Sequence, residues 1–359
     1  MRKRFEDVLD IINGKNQKKV ENPNGIYPIY GSGGVMGYAD DYLCEANTVV
    51  IGRKGSINNP IYVEEPFWNV DTAFGLTARK DMLLPRYLYF FCVHYDFCKL
   101  NTTVTIPSLT KANLLKIEMD VPDIDEQKKI VDKLDSVVKL IRFQKEQIKQ
   151  LDTLIKARFV EMFGDPISNP MGWDKKPLAN ECDIITGNTP SRKVPEYYGD
   201  YIEWIKSDNI NTPNAILTKA EEYLSEEGLK VARSVDAGAI LMTCIAGSIG
   251  CIGNVAIANR TVSFNQQING IIPKRNNTWF MYVLFELSKG GIQSAINMAL
   301  KGILSKGQLA EMEFIFPPVK FQNEFGDFVE RIDKLKVEEQ RKLEKTQILF
   351  DSLMQQYFG

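Results

Sequence analysis

The chain has 359 residues, of which 44% are hydrophobic and 25% charged, a composition typical of globular proteins with two or three domains. No apolar run approaches the roughly 18 residues that span a bilayer, and the first residues lack the apolar core of a signal peptide, so we expect a cytoplasmic protein. The formal net charge of −2 excludes a broadly polycationic nucleic-acid binder. Any basic face must therefore be local, or a partner must supply it.

Residues 1–123, called head 1 below, predict a β-rich α+β domain, with strands over 27–30, 48–52, 61–63, 74–78 and 116–121. Helices are expected over 4–12, 85–97 and 110–115, the first ended by Asn13-Gly14. The segment from Gly31 to Gly37 predicts a flexible loop, because Met36 breaks the Gly-x-Gly-x-x-Gly pattern of a phosphate-binding loop.

Residues 124–163 predict a long amphipathic helix. Alternating steps of four and three from Ile130 to Met162 meet ten positions, of which eight are apolar, with no Pro or Gly inside the helix. This is the pattern of a coiled coil of about five heptads. A single apolar stripe of this length needs a partner helix to cover it.

Residues 164–172 form a linker, and residues 173–318, called head 2 below, repeat the plan of head 1. Strands are expected over 203–206, 239–245, 253–258, 270–273 and 313–316, with one helix over 278–287 and a second near 291–298. Residues 319–359 then supply the partner helix. Its predicted seam is broader and contains Phe325, Phe328, Val329, Ile332, Leu335, Leu343, Leu349, Phe350, Leu353 and Tyr357.

The two helices belong to an internal duplication. Pro122 aligns with Pro317 (317 − 122 = 195), and Phe163 aligns with Phe358 (358 − 163 = 195). In the heads, Gly55-Ser-Ile57 recurs as Gly247-Ser-Ile249, and Ile106-Pro-Ser108 resembles Ile303-Leu-Ser305. We therefore expect two unlike heads separated by an antiparallel two-helix coiled coil, with pseudo-twofold symmetry.

The motifs of several enzyme classes are missing. His94 is the only histidine, which disfavours Ser-His and Cys-His catalysis, and there is no Walker loop. The sequence Pro122-Asp123 with Glu126 and Lys128 mimics a nuclease motif, but its spacing is too tight for a metal pocket and its repeat lacks both acids. No Asn-Pro-Pro-Tyr tetrapeptide of amino-methyltransferases occurs. The cluster of Cys92, His94 and Cys98 matches no common zinc module, so we expect neither catalysis nor a bound metal.

Basic, hydroxyl-rich segments are the candidate DNA contacts, because Lys and Arg neutralise phosphates while Ser, Thr and Asn also reach base edges. Any one segment taken alone is better explained as a solvated turn, but their recurrence at matching places in both heads favours DNA contact. Asn265 to Gln267 offers amides for adenine or, equally, a buried turn. The candidate residues are Arg53, Lys54, Ser56, Lys99, Thr103, Thr105, Ser108, Lys111, Thr189, Ser191, Arg192, Lys193, Lys206, Lys301, Ser305 and Lys306.

Taken together, these features resemble one family. Each head ends in a strand, a proline and a glutamine-containing helix start, and each helix ends in Phe-Gly, followed after the first by Asp165-Pro166 and by Asn169 to Trp173. With Gly187-Asn-Thr-Pro-Ser191 and Ile303-Leu-Ser305, the chain resembles, over essentially its whole length, the specificity (S) subunit of type I restriction–modification systems. Head 1 departs from the pattern, because Gly14-Lys-Asn-Gln-Lys-Lys19 replaces its Thr-Pro-Ser loop.

The resemblance implies that each head is a target-recognition domain reading one half of a bipartite double-stranded DNA site. The helices would set the gap between half-sites, on the order of one DNA turn or about 34 Å. Two methyltransferase (M) subunits would bring S-adenosylmethionine and flip the target adenines. Complexes that also cleave would add restriction/translocase (R) subunits with ATP and Mg, while this chain itself binds no cofactor.

Two other functions stay open at this point. One is a self-contained DNA methyltransferase or nuclease, which the missing motifs oppose. The other is a scaffold whose heads bind protein rather than DNA.

Overall fold

The computed structural model describes residues 1–100, 108–296 and 302–359. The chain forms two compact units: unit 1 contains Met1–Lys145 with Arg341–Gly359, and unit 2 contains Glu146–Gln340. Each unit therefore holds one head and one half of each long helix. Among the described helices, none is long and apolar enough to cross a membrane.

The described part of head 1 is built from short strands in three sheets. A four-stranded antiparallel sheet has the order β2-β8-β5-β6, a three-stranded sheet has the order β4-β3-β7, and β1 pairs with β9. The elements are β1 Arg2–Arg4, α1 Phe5–Val8, β2 Leu9–Asn13, β3 Tyr27–Gly31, β4 Gly34–Ala39, β5 Thr48–Gly52, β6 Ile61–Val63, β7 Trp68–Asn69, β8 Ala73–Ala78, α2 Pro85–His94, α3 Lys111–Leu115 and β9 Glu118–Asp120.

The first long helix, α4, runs over Ile124–Phe163. Asp123 stands before its first turn, where Oδ1 accepts a 2.8 Å hydrogen bond from the Glu126 amide. The nuclease-like motif is therefore the cap of a helix. All ten predicted seam positions of α4 are buried or half-buried, and Phe159, outside the predicted set, is wholly buried.

Head 2 repeats the architecture with a larger second sheet. Its four-stranded sheets have the orders β11-β18-β15-β16 and β13-β12-β17-β14, and β10 pairs with β19. The elements are β10 Lys175–Pro177, α5 Leu178–Glu181, β11 Cys182–Thr186, β12 Tyr198–Ile205, β13 Tyr223–Leu224, α6 Glu226–Val231, β14 Ser234–Val235, β15 Ile240–Thr243, β16 Val255–Ile257, β17 Val262–Phe264, β18 Ile268–Pro273, α7 Thr278–Ser294, α8 Lys306–Glu311 and β19 Glu313–Ile315.

The second long helix, α9, runs over Val319–Phe358. In unit 2 it packs antiparallel to α4, since Phe325 lies against Phe163 while Lys336, further along α9, meets Asp152, further back along α4. The predicted seam of α9 is partly wrong. Leu335 and Leu349 are each 49% exposed, while Lys336 is only 8% exposed.

The predicted α+β fold with internal duplication is confirmed. The sheets β2-β8-β5-β6 and β11-β18-β15-β16 have the same strand order. The closing strands β9 and β19 begin 195 residues apart (313 − 118), and so do α4 and α9 (319 − 124). The two heads are thus two versions of one fold.

Three local predictions are wrong. The helix expected over 4–12 is reduced to α1, because residues 9–13 alternate buried and exposed and pair with β8 as a strand. The loop expected from Gly31 to Gly37 lies largely within the β3–β4 hairpin. In head 2, α7 continues through Gly290 and Gly291 as one helix, because Ile292 beyond them is buried in the core.

A buried glutamine attaches each long helix to its head. Gln127 accepts a hydrogen bond from the Leu84 amide at 2.8 Å and donates to the carbonyls of Met82 and Pro122. Gln322, its repeat, accepts from the Asn277 amide at 3.1 Å and donates to Asn276 and to Pro317. Both glutamines are wholly buried. Their amides satisfy backbone groups that would otherwise be buried without a partner.

A polar cavity of about 350 Å³ lies in unit 2. Lys336 lines it and donates to Asp152 Oδ1 at 2.7 Å and to the Pro213 carbonyl at 3.0 Å. Burial raises the pKa of the Glu286 and Asp333 carboxyls in the same cavity, although nearby lysines oppose the shift. Titratable side chains therefore line a cavity inside unit 2.

Candidate nucleic-acid interface

In both heads a basic loop begins at a glycine packed tightly against the backbone. A Cβ at Gly14 would lie 1.8 Å from the Val70 carbonyl oxygen, and one at Gly187 would lie 2.2 Å from the Asn265 carbonyl oxygen. No side chain fits in that space. Equivalent carbonyls also hold the two loop starts: the amides of Gly14 and Lys15 donate to Ala73 and Asn69, and those of Gly187 and Asn188 donate to Ile268 and Phe264, each 195 residues further on (268 − 73 and 264 − 69). The loop of residues 14–19 in head 1 therefore occupies the place of residues 187–192 in head 2.

The head 2 loop carries four of the candidate DNA contacts. Thr189, Ser191, Arg192 and Lys193 are all exposed. The Thr189 hydroxyl contacts Gln266 Oε1, and the Lys193 amide donates to Ser191 Oγ at 3.3 Å. The loop therefore presents hydroxyls and cations together on one surface of head 2.

Lys206, at the end of β12, reaches the same surface. Its ammonium and the guanidinium of Arg192 share the carboxylate of Glu222, with Arg192 Nη2 2.6 Å from Glu222 Oε2. The hydrogen bond from Lys206, followed by that from Arg192, lowers the pKa of Glu222. The carboxylate is thus ionised at neutral pH and holds both cations.

The turn from Asn265 to Gln267 is divided between two roles. Asn265 is buried and accepts from the Gln267 amide at 3.0 Å, which makes it a structural residue. Gln266 is exposed beside Thr189. Only the amide of Gln266 is therefore placed to meet a ligand.

A second basic segment of head 2 lies on the other side of this turn. The backbone carbonyl of Gln267 accepts hydrogen bonds from the backbone amides of Cys244 and Ile245, and Ile245 forms a β-bridge with Ile303. Ser305 then caps α8, accepting from the Gln308 amide at 3.2 Å, and Lys306 is exposed on its first turn. Lys301 lies outside the described residues.

Head 1 brings its equivalent residues together in the same way. Lys54 forms a β-bridge with Ser108, and the carbonyl of Arg53 accepts the Leu109 amide. Arg53, Lys54 and Ser56 form an exposed turn after β5, and the guanidinium of Arg53 lies 5.8 Å from the centre of the Phe74 ring. The turn and the segment after Ser108 therefore form one surface.

Two further head 1 candidates have different surroundings. The ammonium of Lys111 donates to the Ile11 carbonyl at 2.7 Å, so this lysine holds α3 to the sheet. Lys99 is exposed at the end of a short 3₁₀ helix over Phe97–Leu100. Thr103 and Thr105 lie outside the described residues.

The predicted alignment of the two Ser-containing segments is two residues out of register. Thr110 caps α3 in head 1 as Ser305 caps α8 in head 2, and the two are 195 residues apart (305 − 110). Ser108 therefore corresponds to Ile303. The two residues form equivalent β-bridges, Ser108 with Lys54 and Ile303 with Ile245. The positions of the two short helices and their caps define this register. The sequence similarity between the two Ser-containing segments does not.

Several residues at these surfaces were missed from the sequence. In head 1 they are Lys15, Lys18 and Lys19, which are exposed on the loop that replaces the Thr-Pro-Ser motif. In head 2 they are Glu222 and the rings of Tyr198 and Trp204, which lie against the Arg192 guanidinium. The lysines could have been found from the position of Gly14, but the partner of Arg192 lies 30 residues away in the chain.

Cys92, His94 and Cys98, the cluster considered above as a metal site, lie in the core of head 1 or beside it. Cys92 is wholly buried, and burial raises the pKa of its thiol. His94 lies 6.4 Å from the ring of Phe358. Within the described ranges, no group of three or more metal-ligating side chains is found.

Comparison with known proteins identifies the family of this chain. The family described as "Type I restriction modification DNA specificity domain" matches residues 1–153 and again residues 170–346. The chain belongs to this family. Each match covers one head and the adjoining part of a long helix, in agreement with the duplicated topology.

Curated relatives include specificity subunits of type I restriction enzymes. The EcoBI specificity subunit of Escherichia coli is 23% identical over 82% of this chain and 68% of its own length. The HindI specificity subunit of Haemophilus influenzae is 30% identical over 38% of this chain, and the MjaIX specificity subunit of Methanocaldococcus jannaschii is 29% identical over 48% of it. These last two matches span only 28% and 40% of the relatives' lengths.

Solved structures share the fold at low sequence identity. The S subunit of a type I restriction–modification system from M. genitalium has a TM-score of 0.68 at 14% identity, with 100% of this chain and 96% of that chain covered. A chain from a study of type I R-M complex assembly and conformational transition has a TM-score of 0.55 at 15% identity, covering 99% and 97%. These similarities concern the fold alone.

Proposed function

We propose that this chain is the DNA sequence-specificity subunit of a type I restriction–modification complex, in which each head reads one half of a bipartite DNA site. The observation that carries the proposal is the same glycine-anchored basic loop in both heads of a chain with two specificity domains. Two heads of different sequence on one repeated scaffold are suited to recognise a DNA site whose halves differ in sequence. The long helices then set the distance between half-sites.

The long helices also expose apolar side chains that suit a protein partner. In unit 1, Leu140 and Leu349 are 45% and 49% exposed. We infer that they lie at one level. With the antiparallel packing seen in unit 2, the contact of Lys133 with Tyr357 puts Leu140 level with Phe350, seven residues along each helix and next to Leu349. Exposed apolar groups in pairs mark interaction surfaces more often than single ones do.

Unit 2 carries the repeat of this pair. Leu154 and Leu335 are 47% and 49% exposed, and the Asp152–Lys336 ion pair places them at one level. Each is 195 residues from its counterpart (349 − 154 and 335 − 140). Two equivalent surfaces favour two copies of one partner, which we assign to two methyltransferase subunits.

In this proposal the chain selects the site and its partners do the chemistry. The methyltransferase subunits bind S-adenosylmethionine and receive the flipped adenines, and restriction subunits, in complexes that cleave, bind ATP and Mg. The net charge of −2 agrees with a shared DNA surface, because the partners supply further positive charge.

Methylation mapping tests the DNA part of the proposal. The chain is expressed with a type I methyltransferase subunit, and methylated adenines are mapped over a genome. We expect a single bipartite motif that disappears without this chain. Methyl transfer by the purified chain alone would support the self-contained enzyme instead, and a complex that binds all DNA sequences equally would support the scaffold.

Native mass spectrometry tests the docking surfaces. Replacing both Leu140 and Leu349 by Lys should leave one methyltransferase copy bound, as should the same change at Leu154 and Leu335. The single exposed substitution Gln150→Lys is the matched control and should leave two copies. Loss of both copies from either double variant would contradict two independent surfaces.

A further inference from the structure

Arg192 is an exposed cation of head 2 that has several fixed partners. Its guanidinium lies 4.4 Å from the centre of the Tyr198 ring and 5.3 Å from that of Trp204, while Nη2 contacts Glu222 at 2.6 Å. Its side chain is nevertheless 56% exposed. Arg192 is therefore held by three groups and still open to solvent.

The two rings are themselves fixed to the Arg192 loop. The Tyr198 hydroxyl donates to the Pro190 carbonyl at 2.7 Å, and the Trp204 indole donates to the Asn188 carbonyl at 3.3 Å. Trp204 is only 4% exposed, which holds its ring in place. The guanidinium thus lies against two rings that are hydrogen-bonded to its own loop.

Contact with phosphate requires charge but little orientation, whereas reading a base edge requires a fixed direction. A planar guanidinium pairs with the O6 and N7 acceptors of guanine through two parallel hydrogen bonds, which is the commonest specific contact of arginine in the major groove. The ammonium of Lys193, on an exposed side chain in the same loop, has no comparable fork of donors. The surroundings of Arg192 are those of a base reader.

We infer that Arg192 reads a guanine in the half-site of head 2, with Glu222 as the positioning residue that fixes the direction of its guanidinium. The inference rests on the proposed DNA-specificity function. Glu222 holds one edge of the guanidinium and leaves the remaining N–H donors for the base. It also occupies Lys206, so the carboxylate competes with phosphate for two cations.

This role gives Glu222 two opposite effects. A carboxylate at a DNA-facing surface weakens binding to every sequence, because it repels phosphates. The same carboxylate improves discrimination, because it prevents Arg192 from turning toward the backbone of a site without the guanine. Glu221, its exposed neighbour, carries the same charge outside this network and provides a matched control.

The test uses the complex of the full chain with its methyltransferase subunits. Dissociation constants are measured by fluorescence anisotropy over a range of salt concentrations, for the mapped site and for every single-base variant of the head 2 half-site. The variants are Arg192→Lys, Lys193→Gln, Glu222→Gln and Glu221→Gln. Thermal melting of each variant checks that head 2 remains folded.

Arg192→Lys should lower discrimination at one G·C pair by about tenfold or more, with little change in the salt dependence. Glu222→Gln should reduce discrimination at the same pair and strengthen binding to unrelated DNA beyond the effect of Glu221→Gln. Lys193→Gln should weaken all sequences equally and lower the salt slope by about 0.9.

Two results would overturn the inference: uniform weakening by Arg192→Lys, as for Lys193→Gln, or equal behaviour of the Glu222 and Glu221 variants. If the wild-type complex itself showed no sequence preference, the proposed function would fail rather than this assignment alone.

Discussion

The internal repeat supplies a matched pair for measuring how burial sets stability. Phe163 and Phe358 occupy equivalent positions at the ends of α4 and α9 (358 − 163 = 195). Phe163 is wholly buried, whereas Phe358 is half-buried. Replacing each phenylalanine by Ala removes the same atoms from two environments, one fully packed and one partly open to solvent.

The surroundings explain the difference in burial. The ring of Phe163 lies 5.1 Å from the rings of both Phe159 and Phe280, 5.6 Å from that of Phe325 and 6.4 Å from that of Trp173, the first residue of head 2. Trp173 also donates its indole N–H to the Phe163 carbonyl at 3.0 Å. The first residue of head 2 therefore closes the site around Phe163.

Phe358 has a more open environment in unit 1. Its ring lies 5.1 Å from Tyr87, 6.2 Å from Phe91 and 6.4 Å from His94. The cavity left by Phe→Ala in a closed core costs about 3–5 kcal/mol. We expect that loss for Phe163→Ala and about 1–2 kcal/mol for Phe358→Ala, because water already reaches part of the second ring.

Hydrogen exchange measured by mass spectrometry resolves the two units. Opening free energies are taken from peptides of α7 for Phe163→Ala and of α2 for Phe358→Ala, each against the wild-type chain. Phe163→Leu provides the graded control, with an expected loss below about 1.5 kcal/mol. Equal losses for the two Ala variants would refute the argument from burial.

Three further changes test other parts of unit 2. Gln322→Ala should cost about 1–3 kcal/mol in urea denaturation, because the Asn277 amide loses its buried acceptor; no loss would show that water replaces the side chain. Burial raises the pKa of the Glu286 carboxyl above its ordinary value, so the folded state loses stability as pH rises from the ordinary to the raised pKa. Glu286→Gln should therefore raise the urea midpoint near pH 7 but not below about pH 4, unlike exposed Glu311→Gln, and a gain of equal size at both pH values would contradict the shift. Gly187→Ala should destabilise the head 2 loop by more than about 2 kcal/mol, because its Cβ meets backbone, whereas Gly33→Ala meets open space; similar thermal melting shifts for both would exclude the packing argument.

Local periodicity determined the long helices. Heptad spacing over residues 124–163 predicts which side of α4 is covered, and all ten seam positions are buried or half-buried. A helix of this length needs only contacts between residues three and four apart to be recognised. The repeat, the proline-rich helix starts and the fold class follow from the same short-range signals.

Elements that depend on distant partners could not be predicted in this way. Residues 9–13 are apolar at spacings that suit a helix, but pairing with β8 makes them a strand. On α9, Lys336 is buried because Asp152 and the Pro213 carbonyl receive its ammonium, while Leu335 stays exposed. Tertiary contacts override the local preference in both cases.

The candidate site shows the same division. The sequence shows the basic, hydroxyl-rich segments of both heads, and it shows a glycine at the start of each basic loop. The sequence could not pair Arg192 with Glu222, place two aromatic rings beneath it or give Lys111 to a backbone carbonyl. Which cations are oriented and which are free depends on strand register across tens of residues, and only the folded chain sets that register.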